Sequence, residues 1–429
     1  MNRRITIFIG ERAISVGTLF FNASGNRESS GVEYSNEWID LPDSFAIDPN
    51  LPLRHGRLFH TKKEGGSVFF GAIADSEPDG WARQVILRAH GKHRKEERER
   101  GAAYDSHPLS SLDYLLSVDD FSRIGALRFQ DETGIFQRQT EKGKRSAPPL
   151  IELSALFSAT RAVETDTETA ADLDYLRGRG TSLGGMRPKC TIMDQDGSLS
   201  IGKFPSVGDL YSVTKGEVLA LHIAASAGIH AAQARLVESD GSTVALIKRF
   251  DRESHGRRIP YVSAATILGI EDTHEVHSYR EMVDALRRYS ADFQSDAEEL
   301  WRRIALTILI TNVDDHLRNH GFLHVEKNLW RLSPAFDINP FPNKRRTLKT
   351  WIAEDTGDAA SIKALMQQAH YFGIDSQRAC EILSAVETAV SNWRHIGKSL
   401  GMTTPELNAF ETAFEHEERR VAKDLCKFQ

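Results

Sequence analysis

The feature that most constrains this chain is a short polar run at residues 312–319, with the sequence NVDDHLRN. It follows an apolar stretch, residues 300–308, in which leucine and isoleucine recur every four residues, as on one face of a helix. Residues 321–332 read as two strands joined by a turn, and Asp337 follows soon after this hairpin. This order predicts a polar loop and an acidic residue held beside a rigid scaffold.

The spacing inside the run fits phosphoryl transfer. Asp314 and Asn319 stand in the D-x-x-x-x-N arrangement of a kinase catalytic loop. We predict that Asp314 accepts the proton of the attacking hydroxyl, and that Asn319 and Asp337 supply oxygen ligands to Mg²⁺. His316 inside the interval gives the order D-x-H-x-x-N, which resembles the phosphoinositide-type kinases.

A phosphate loop and a cationic residue are predicted upstream. Residues 177–185, RGRGTSLGG, are rich in glycine, which lets backbone N–H groups approach a phosphate closely. Lys203 lies in a strand-like context, LSIGKF, and we predict that it contacts the ATP phosphates. Glu217, at the head of a predicted helix, is its expected ion-pair partner. Residues 244–251, VALIKRFD, are predicted to form a strand and then a hinge beside adenine.

Each of these features also has a plainer interpretation. Asp314 and Asp315 would equally serve as helix caps. His316 and His320, four residues apart, could be a metal pair or two structural histidines, and the sequence offers no third ligand at a fitting spacing. Lys203 could be an ordinary strand-edge lysine, and the glycine-rich run a plain turn. The order of the features along the chain favours the kinase interpretation.

Composition excludes several classes of protein. The chain has 429 residues, 40% of them hydrophobic and 27% charged, as in globular proteins. A net charge of -6 gives no overall footprint for nucleic acid or an anionic membrane, and the three cysteines form no CxxC motif. Residues 5–9 are too short an apolar run for a signal peptide, and no stretch approaches the roughly 20 apolar residues of a membrane span. We expect a cytoplasmic protein without membrane contact.

The pattern of elements predicts an α+β protein with a two-lobed, protein-kinase-like core of the phosphoinositide-kinase type. We expect a small β-rich N-terminal domain at residues 1–145, a kinase N-lobe at 146–252 and an all-helical C-terminal lobe at 253–429. Within the first domain, residues 67–73 are predicted to be a strand and Asp79 opens a helix.

Cap signals locate two helices in the C-terminal lobe. Ser295 with Glu298 has the spacing of a capping box. Thr404 is the expected cap of a late helix whose first residue is Pro405.

Together these motifs resemble the HipA family of serine/threonine kinases, the toxins of bacterial type II toxin–antitoxin pairs. The similarity spans nearly the whole chain. It rests on six blocks of sequence: residues 51–54, 70–81, 117–129, 180–189, 310–319 and 333–340.

The resemblance implies ATP and Mg²⁺ as cofactors. It implies that Ser182 is phosphorylated by the kinase itself, and it marks a set of positions that contact the nucleotide: Gly184, Gly185, Met186, Arg187, Lys189, Lys203, Lys248, Arg249, Phe250, His316, Arg318 and Phe336. It further implies a small helix-turn-helix antitoxin that carries the DNA binding, so that DNA is contacted only indirectly. The implied substrate is a serine of a translation-related protein, often an aminoacyl-tRNA synthetase.

Three functions remain open at this point. The first is a serine/threonine protein kinase. The second is a small-molecule or lipid kinase with the same catalytic loop. The third is a binding protein that has kept the fold without activity, although Lys203, Asp314, Asn319 and Asp337 are all present.

Overall fold

The chain folds as α+β, and a computed structural model describes residues 2–25, 27–101, 107–136, 150–176, 185–239, 241–253, 256–271 and 275–426. Its strands are β1 (Asn2–Ile9), β2 (Ile14–Ser24), β3 (Arg27–Tyr34), β4 (Leu58–His60), β5 (Leu127–Gln130), β6 (Lys189–Met193), β7 (Leu199–Lys203), β8 (Ala234–Ser239), β9 (Ser242–Lys248), β10 (Tyr261–Ser263), β11 (His277–Ser278), β12 (Gly321–Glu326), β13 (Leu329–Leu332) and β14 (Thr350–Trp351).

The helices cluster in the second half of the chain. They are α1 (Asn36–Ile39), α2 (Gly71–Ala74), α3 (Gly80–Glu99), α4 (Ser111–Ser117), α5 (Leu153–Glu164), α6 (Ala170–Leu176), α7 (Val213–Ser226), α8 (Ala264–Leu268), α9 (Tyr279–Tyr289), α10 (Phe293–Leu309), α11 (Ile362–Gln367), α12 (Ser376–Ser391), α13 (Trp393–Ser399), α14 (Thr404–Ala409), α15 (Glu411–Phe414) and α16 (Glu417–Cys426). None of these described helices is both long and apolar enough to cross a membrane.

Two compact units make up the chain. The first contains Met1–Gly208, Glu238–Val262 and Gly269–Thr273, and the second contains Asp209–Val237, Ser263–Leu268 and His274–Gln429. The expected division into three domains, with boundaries after residues 145 and 252, stays a prediction.

The first unit is built on antiparallel sheets. The N-terminal sheet has the order β4-β3-β2-β1-β5, and the alternation of its first strand buries Ile5, Ile7 and Ile9 on one face. A second antiparallel set joins β6, β7 and β9, in which Lys189 lies directly opposite Lys203. The predicted strands around Lys203 and residues 244–247 are confirmed.

A buried network of arginines and aspartates, which we call the arginine–aspartate network, also belongs to the first unit. Asp251 accepts hydrogen bonds from Arg249 at 2.6 Å, from Arg252 at 2.7 Å and from the Gly125 backbone N–H at 2.7 Å. Asp120 pairs with Arg128 at 2.7 Å in the same way. These bonds tie the backbone before β5 to the backbone after β9.

The second unit is mainly helical and is organised around α10. The C-terminal half of this helix is buried, with Leu300, Ile304 and Ile308 fully inaccessible to solvent. Close packing extends to α7, where a Cβ added at Gly216 would stand 2.6 Å from the Phe410 ring, so a glycine is needed there. The lobe predicted as all-helical also contains the hairpin of β12 and β13 and the short parallel pair of β11 and β14.

Several predicted local boundaries are wrong. Residues 67–70 form no strand, and α2 begins at Gly71; the apolar Val68 and Phe69 are buried without joining a sheet. Helix α10 begins at Phe293 and is capped by Asp292, so the predicted Ser295–Glu298 box does not form.

Two other helices begin earlier in the chain than predicted. Helix α7 begins at Val213, which places Glu217 one turn inside it. The capping residue of α14 is Thr403, one position before Thr404. The predicted opening of α3 at Asp79 is confirmed, because the Asp79 carboxylate accepts the Ala82 N–H at 2.7 Å.

Candidate active site

The polar run at residues 312–319 leaves the end of α10 through a constrained turn. Thr311 adopts φ 57°, a conformation that β-branched residues rarely take, and its hydroxyl donates to the Ala413 carbonyl at 2.9 Å. The buried helix and this anchor fix where the loop begins. Backbone strain of this kind is a common property of functional loops.

Asp314 and Asn319 stand near the two ends of the loop, and a hydrogen bond between them closes it. The Asn319 side-chain amide donates to the Asp314 carbonyl at 3.2 Å, across a short 3-10 helix at Leu317–Asn319. Asn319 is buried, whereas the Asp314 carboxylate is 48% exposed and forms an ion pair with Lys349. A substrate hydroxyl can therefore reach Asp314, and the Asn319 amide oxygen is the atom left to serve as a ligand.

Asp315 anchors the loop through buried contacts. One carboxylate oxygen lies 3.0 Å from His320 Nε2, and the other accepts the Tyr279 hydroxyl at 2.5 Å and the Thr307 hydroxyl at 3.2 Å. Its carbonyl accepts the Thr350 hydroxyl at 2.9 Å. Burial alone would raise the pKa of Asp315, but the His320 charge and these hydrogen bonds together hold that pKa below its usual range.

These contacts decide between the plainer interpretations of the loop. Among the described helices, none is capped by the side chain of Asp314 or Asp315. His320 is a structural histidine paired with Asp315. The described residues contain no group of three or more histidine, cysteine, aspartate or glutamate side chains that could hold a metal.

Asp337 is held by pairings on both sides. The Ala335 backbone exchanges hydrogen bonds with the chain after α7, at 2.8 Å from its N–H to His230 and 2.9 Å from Ala232 to its carbonyl. Beyond it, the Phe341 N–H donates to the Thr311 carbonyl at 3.2 Å. Asp337 itself adopts φ 55°, an uncommon conformation for a residue other than glycine. The chain therefore turns sharply at this carboxylate.

His316 interacts electrostatically with the charged residues of the loop and with Asp337. Burial lowers the pKa of His316, while the negative charges of Asp314, Asp315 and Asp337 oppose this shift and Lys349 adds to it. The charges of these four residues thus all act on the His316 imidazole. Its Nδ1 and the Asn312 side-chain oxygen are buried and have no hydrogen-bond partner among the described residues.

This arrangement fits a nucleotide with Mg²⁺. A carboxylate and an amide oxygen are hard ligands of the kind that Mg²⁺ takes, with phosphate and water completing its shell. The unpartnered buried atoms of His316 and Asn312 offer hydrogen bonds to a ligand. The assignment of Asn319 and Asp337 as metal ligands stays a prediction.

Several predicted nucleotide contacts lie in the first unit. Gly185 has φ 97°, and a Cβ there would stand 2.7 Å from Lys189 Nζ, so only glycine fits. Lys189 is buried with its Nζ 3.3 Å from the Asp79 carboxylate, while Met186 is 71% exposed and Arg187 is half-buried. Ser182 and Gly184 lie outside the described residues.

The other predicted contacts differ in exposure. Lys203 ends β7 and is half-buried. Lys248 is on the surface, 3.8 Å from Asp196, whereas the buried Arg249 bonds to Asp251 and to the Ser122 carbonyl at 2.6 Å. Phe250 is half-buried, with its ring centroid 6.3 Å from that of Tyr261.

The remaining candidates belong to the second unit. Phe336 and Glu217 are buried, and Arg318 is exposed. Glu217 and Lys203 are assigned to different units, and their pairing stays a prediction.

Sequence reasoning missed three residues of the loop's surroundings. Tyr279 and Thr350 fix Asp315, and Lys349 pairs with Asp314. They come from α9 and from the segment at β14, far from the loop in sequence. No local motif marks them, because their roles depend on tertiary contacts.

Comparison with known proteins finds a similarity over the middle and later part of the chain. Residues 181–393 match the model of the HipA-like C-terminal domain. A protein of Haemophilus influenzae named "Putative kinase" is 22% identical over 224 residues, which cover 46% of this chain and 65% of that protein.

Solved structures extend the likeness to the whole chain. HipA of Shewanella oneidensis, solved with HipB and its operator DNA, matches with a TM-score of 0.65 and 12% identity, covering 99% of this chain and 96% of that one. A weaker likeness to the Helicobacter pylori kinase CtkA has a TM-score of 0.45 and 15% identity, over 57% of this chain and 93% of that one. The match to HipA confirms the predicted two-lobed, kinase-like α+β fold. Residues 181–393 are thus similar to the HipA-like C-terminal domains.

Proposed function

We propose that this protein is an ATP-dependent serine/threonine protein kinase. The observation that carries the proposal is the loop of Asp314 and Asn319, in which Asp314 is half-exposed and the Asn319 amide donates to the Asp314 carbonyl, within a HipA-like C-terminal domain. The relative named as a kinase supports the same reaction class. The region of 180 residues that precedes this domain in the chain favours a protein over a lipid as the substrate.

The chemistry follows from what each residue offers. The half-exposed Asp314 carboxylate orients the substrate hydroxyl and accepts its proton. Asp315 and its buried partners prevent the loop from shifting during the reaction, since a small misplacement is costly to the rate. When bound, ATP with Mg²⁺ supplies the phosphoryl group and offsets its charge. Asn319 and Asp337 would hold the metal, and Lys203 would hold the phosphates.

The HipA likeness suggests regulation and partners. The protein would act as a growth-arrest toxin in the cytoplasm, phosphorylating a serine of a translation-related protein such as an aminoacyl-tRNA synthetase. A small helix-turn-helix antitoxin would inhibit it and carry the DNA binding, as the solved complex of HipA with HipB and operator DNA suggests. Phosphorylation of Ser182 by the kinase itself would add about −1.5 to −2 charges to the proposed phosphate loop. This added charge would inactivate the kinase.

Radiolabelled ATP with magnesium and a cell lysate tests the reaction class. Labelled protein supports the proposed function, and phosphoamino-acid analysis then identifies serine or threonine as the acceptor. Label that appears only in a metabolite or lipid would replace the proposal with a small-molecule kinase. Nucleotide binding without any transferred label would show that the fold has lost its activity. Mass spectrometry of the incubated protein tests Ser182 separately.

A further inference from the structure

We infer that Lys349 is a further catalytic residue, which contacts the phosphoryl group during its transfer. This inference rests on the proposed kinase function. The Lys349 ammonium forms an ion pair with the Asp314 carboxylate, the proposed proton acceptor, and the two side chains are 56% and 48% exposed. They are therefore open to a ligand that arrives from solvent.

The backbone of Lys349 is fixed on both sides. Leu348 before it is buried and donates its N–H to the Asp358 carbonyl at 2.8 Å. Thr350 after it is buried, pairs with His277 in the β11–β14 ladder, and donates its hydroxyl to the Asp315 carbonyl at 2.9 Å. Only the Lys349 side chain can therefore move, and the backbone that carries it lies beside the catalytic loop.

Stability does not explain why a cation is held at this position. Ion pairs between exposed side chains typically contribute less than about 1 kcal/mol. A substrate hydroxyl on Asp314 must also lie within bonding distance of the γ-phosphorus, so the γ-phosphoryl oxygens come close to Asp314. A cation that contacts Asp314 is therefore placed to contact those oxygens as well, where positive charge stabilises the transition state.

The proposed step balances as follows. The substrate hydroxyl gives its proton to Asp314, and its oxygen forms a bond to the γ-phosphorus. The bond from that phosphorus to the oxygen bridging it to the β-phosphate breaks, and ADP leaves with the electron pair. Lys349 stays protonated throughout. Because Asp314 becomes neutral when it accepts the proton, the ammonium exchanges the carboxylate for a phosphoryl oxygen.

The first test compares three substitutions in the full chain, with ATP and magnesium. Lys349→Met removes the charge at nearly constant length, Lys349→Arg keeps the charge, and Lys363→Met removes an exposed lysine of α11 as a matched control. We expect kcat for labelling of lysate protein to fall about 10- to 100-fold in Lys349→Met, with KM for ATP within about twofold. Lys349→Arg should retain most of the rate, and Lys363→Met all of it.

A binding measurement supplies a readout that does not depend on turnover. ADP with magnesium and aluminium fluoride mimics the group in transfer, and such mimics bind through contacts made in the transition state. Calorimetry should show about tenfold weaker binding of this mixture to Lys349→Met than to the wild type, while binding of ADP with magnesium is unchanged.

Three results would overturn the inference: an unchanged kcat in Lys349→Met, a raised kcat, or a loss confined to KM. Equal binding of the aluminium fluoride mixture would do the same. The wild-type protein separates this failure from failure of the proposed function. If it transfers no phosphate in the same assay, the kinase proposal itself is wrong.

Discussion

Two regions of the molecule hold charged side chains in different environments, one buried and one open to solvent. In the arginine–aspartate network of the first unit, Asp251 is buried and accepts bonds from Arg249, Arg252 and the Gly125 backbone. In the loop at residues 312–319 of the second unit, Asp314 is half-exposed and has a surface lysine as its ion-pair partner.

The buried polar atoms beside the loop deepen the contrast. His316 Nδ1 and the Asn312 side-chain oxygen have no partner among the described residues. The carboxylate of Asp251 has its hydrogen bonds already made, whereas the loop keeps unused capacity for hydrogen bonding. Buried polar groups without partners are uncommon in folded proteins, and a ligand is one of the groups that complete their hydrogen bonds. We therefore expect substitutions in the network to change stability and substitutions in the loop to change activity.

The largest effect on stability should come from Asp251→Ala. This change leaves Arg249 and Arg252 buried without their shared carboxylate, and breaking such a pair costs about 3–5 kcal/mol of unfolding free energy. Burial would raise the pKa of Asp251, but the two arginines hold it far below its usual range. Urea denaturation measures the loss. A cost below about 1 kcal/mol would mean that the network adds little to stability.

Tyr279→Phe should give a smaller and mixed effect, because Tyr279 is buried but serves the loop. The change removes the hydroxyl that donates to Asp315 at 2.5 Å, for a cost of about 1–3 kcal/mol in unfolding free energy. We also expect a lower kcat at nearly constant KM for ATP, since Asp315 fixes the loop but does not bind nucleotide. A stability loss with unchanged kcat would separate the Asp315 anchor from catalysis.

His416 is a buried histidine of the second unit, and its titration should affect stability. Its Nε2 donates to the Leu309 carbonyl at 3.1 Å, and burial lowers its pKa to about 4. The folded state therefore favours neutral His416, so its stabilising contribution is complete above about pH 6.5 and is lost as the pH falls toward 4. Thermal unfolding of His416→Gln across this range should show a weaker pH dependence than the wild type. Equal pH dependence in both proteins would show that His416 does not make this contribution to stability.

The smallest effect on stability is expected for Lys248→Ala. Lys248 lies on the surface, 3.8 Å from Asp196, so its removal should change the unfolding free energy by less than about 0.5 kcal/mol. If Lys248 contacts the nucleotide, as the resemblance implies, the affinity for ATP with magnesium falls at the same time. Calorimetric titration of both proteins decides this, and equal affinity would remove Lys248 from the nucleotide site.

The comparison also explains what the sequence could and could not predict. The loop, the hairpin and Asp337 follow one another in the chain, so their spacing predicted the two strands and the kinase-like fold, and it made Asp314 the candidate catalytic aspartate. Lys349 and Tyr279 escaped prediction, because only tertiary contacts bring them to Asp314 and Asp315.

Apolar runs and cap signals were less reliable guides to element boundaries. Residues 67–70 have the composition of a strand, but short apolar runs show burial without showing which element is buried. The N-terminus of α2 is capped by a distant residue, since the Ala72 N–H donates to the Asp48 carboxylate at 2.9 Å. A local sequence pattern cannot reveal such a cap.

The most direct test of the account is phosphoryl transfer by Asp314→Asn, measured with the affinity for ATP and magnesium on the same preparation. Removing a general base typically lowers the rate about 10²- to 10⁴-fold. We expect a loss of kcat in this range, with nucleotide affinity and thermal stability close to those of the wild type, because the half-exposed Asp314 acts on the substrate hydroxyl. Transfer at the wild-type rate by Asp314→Asn would contradict the assignment of the catalytic site.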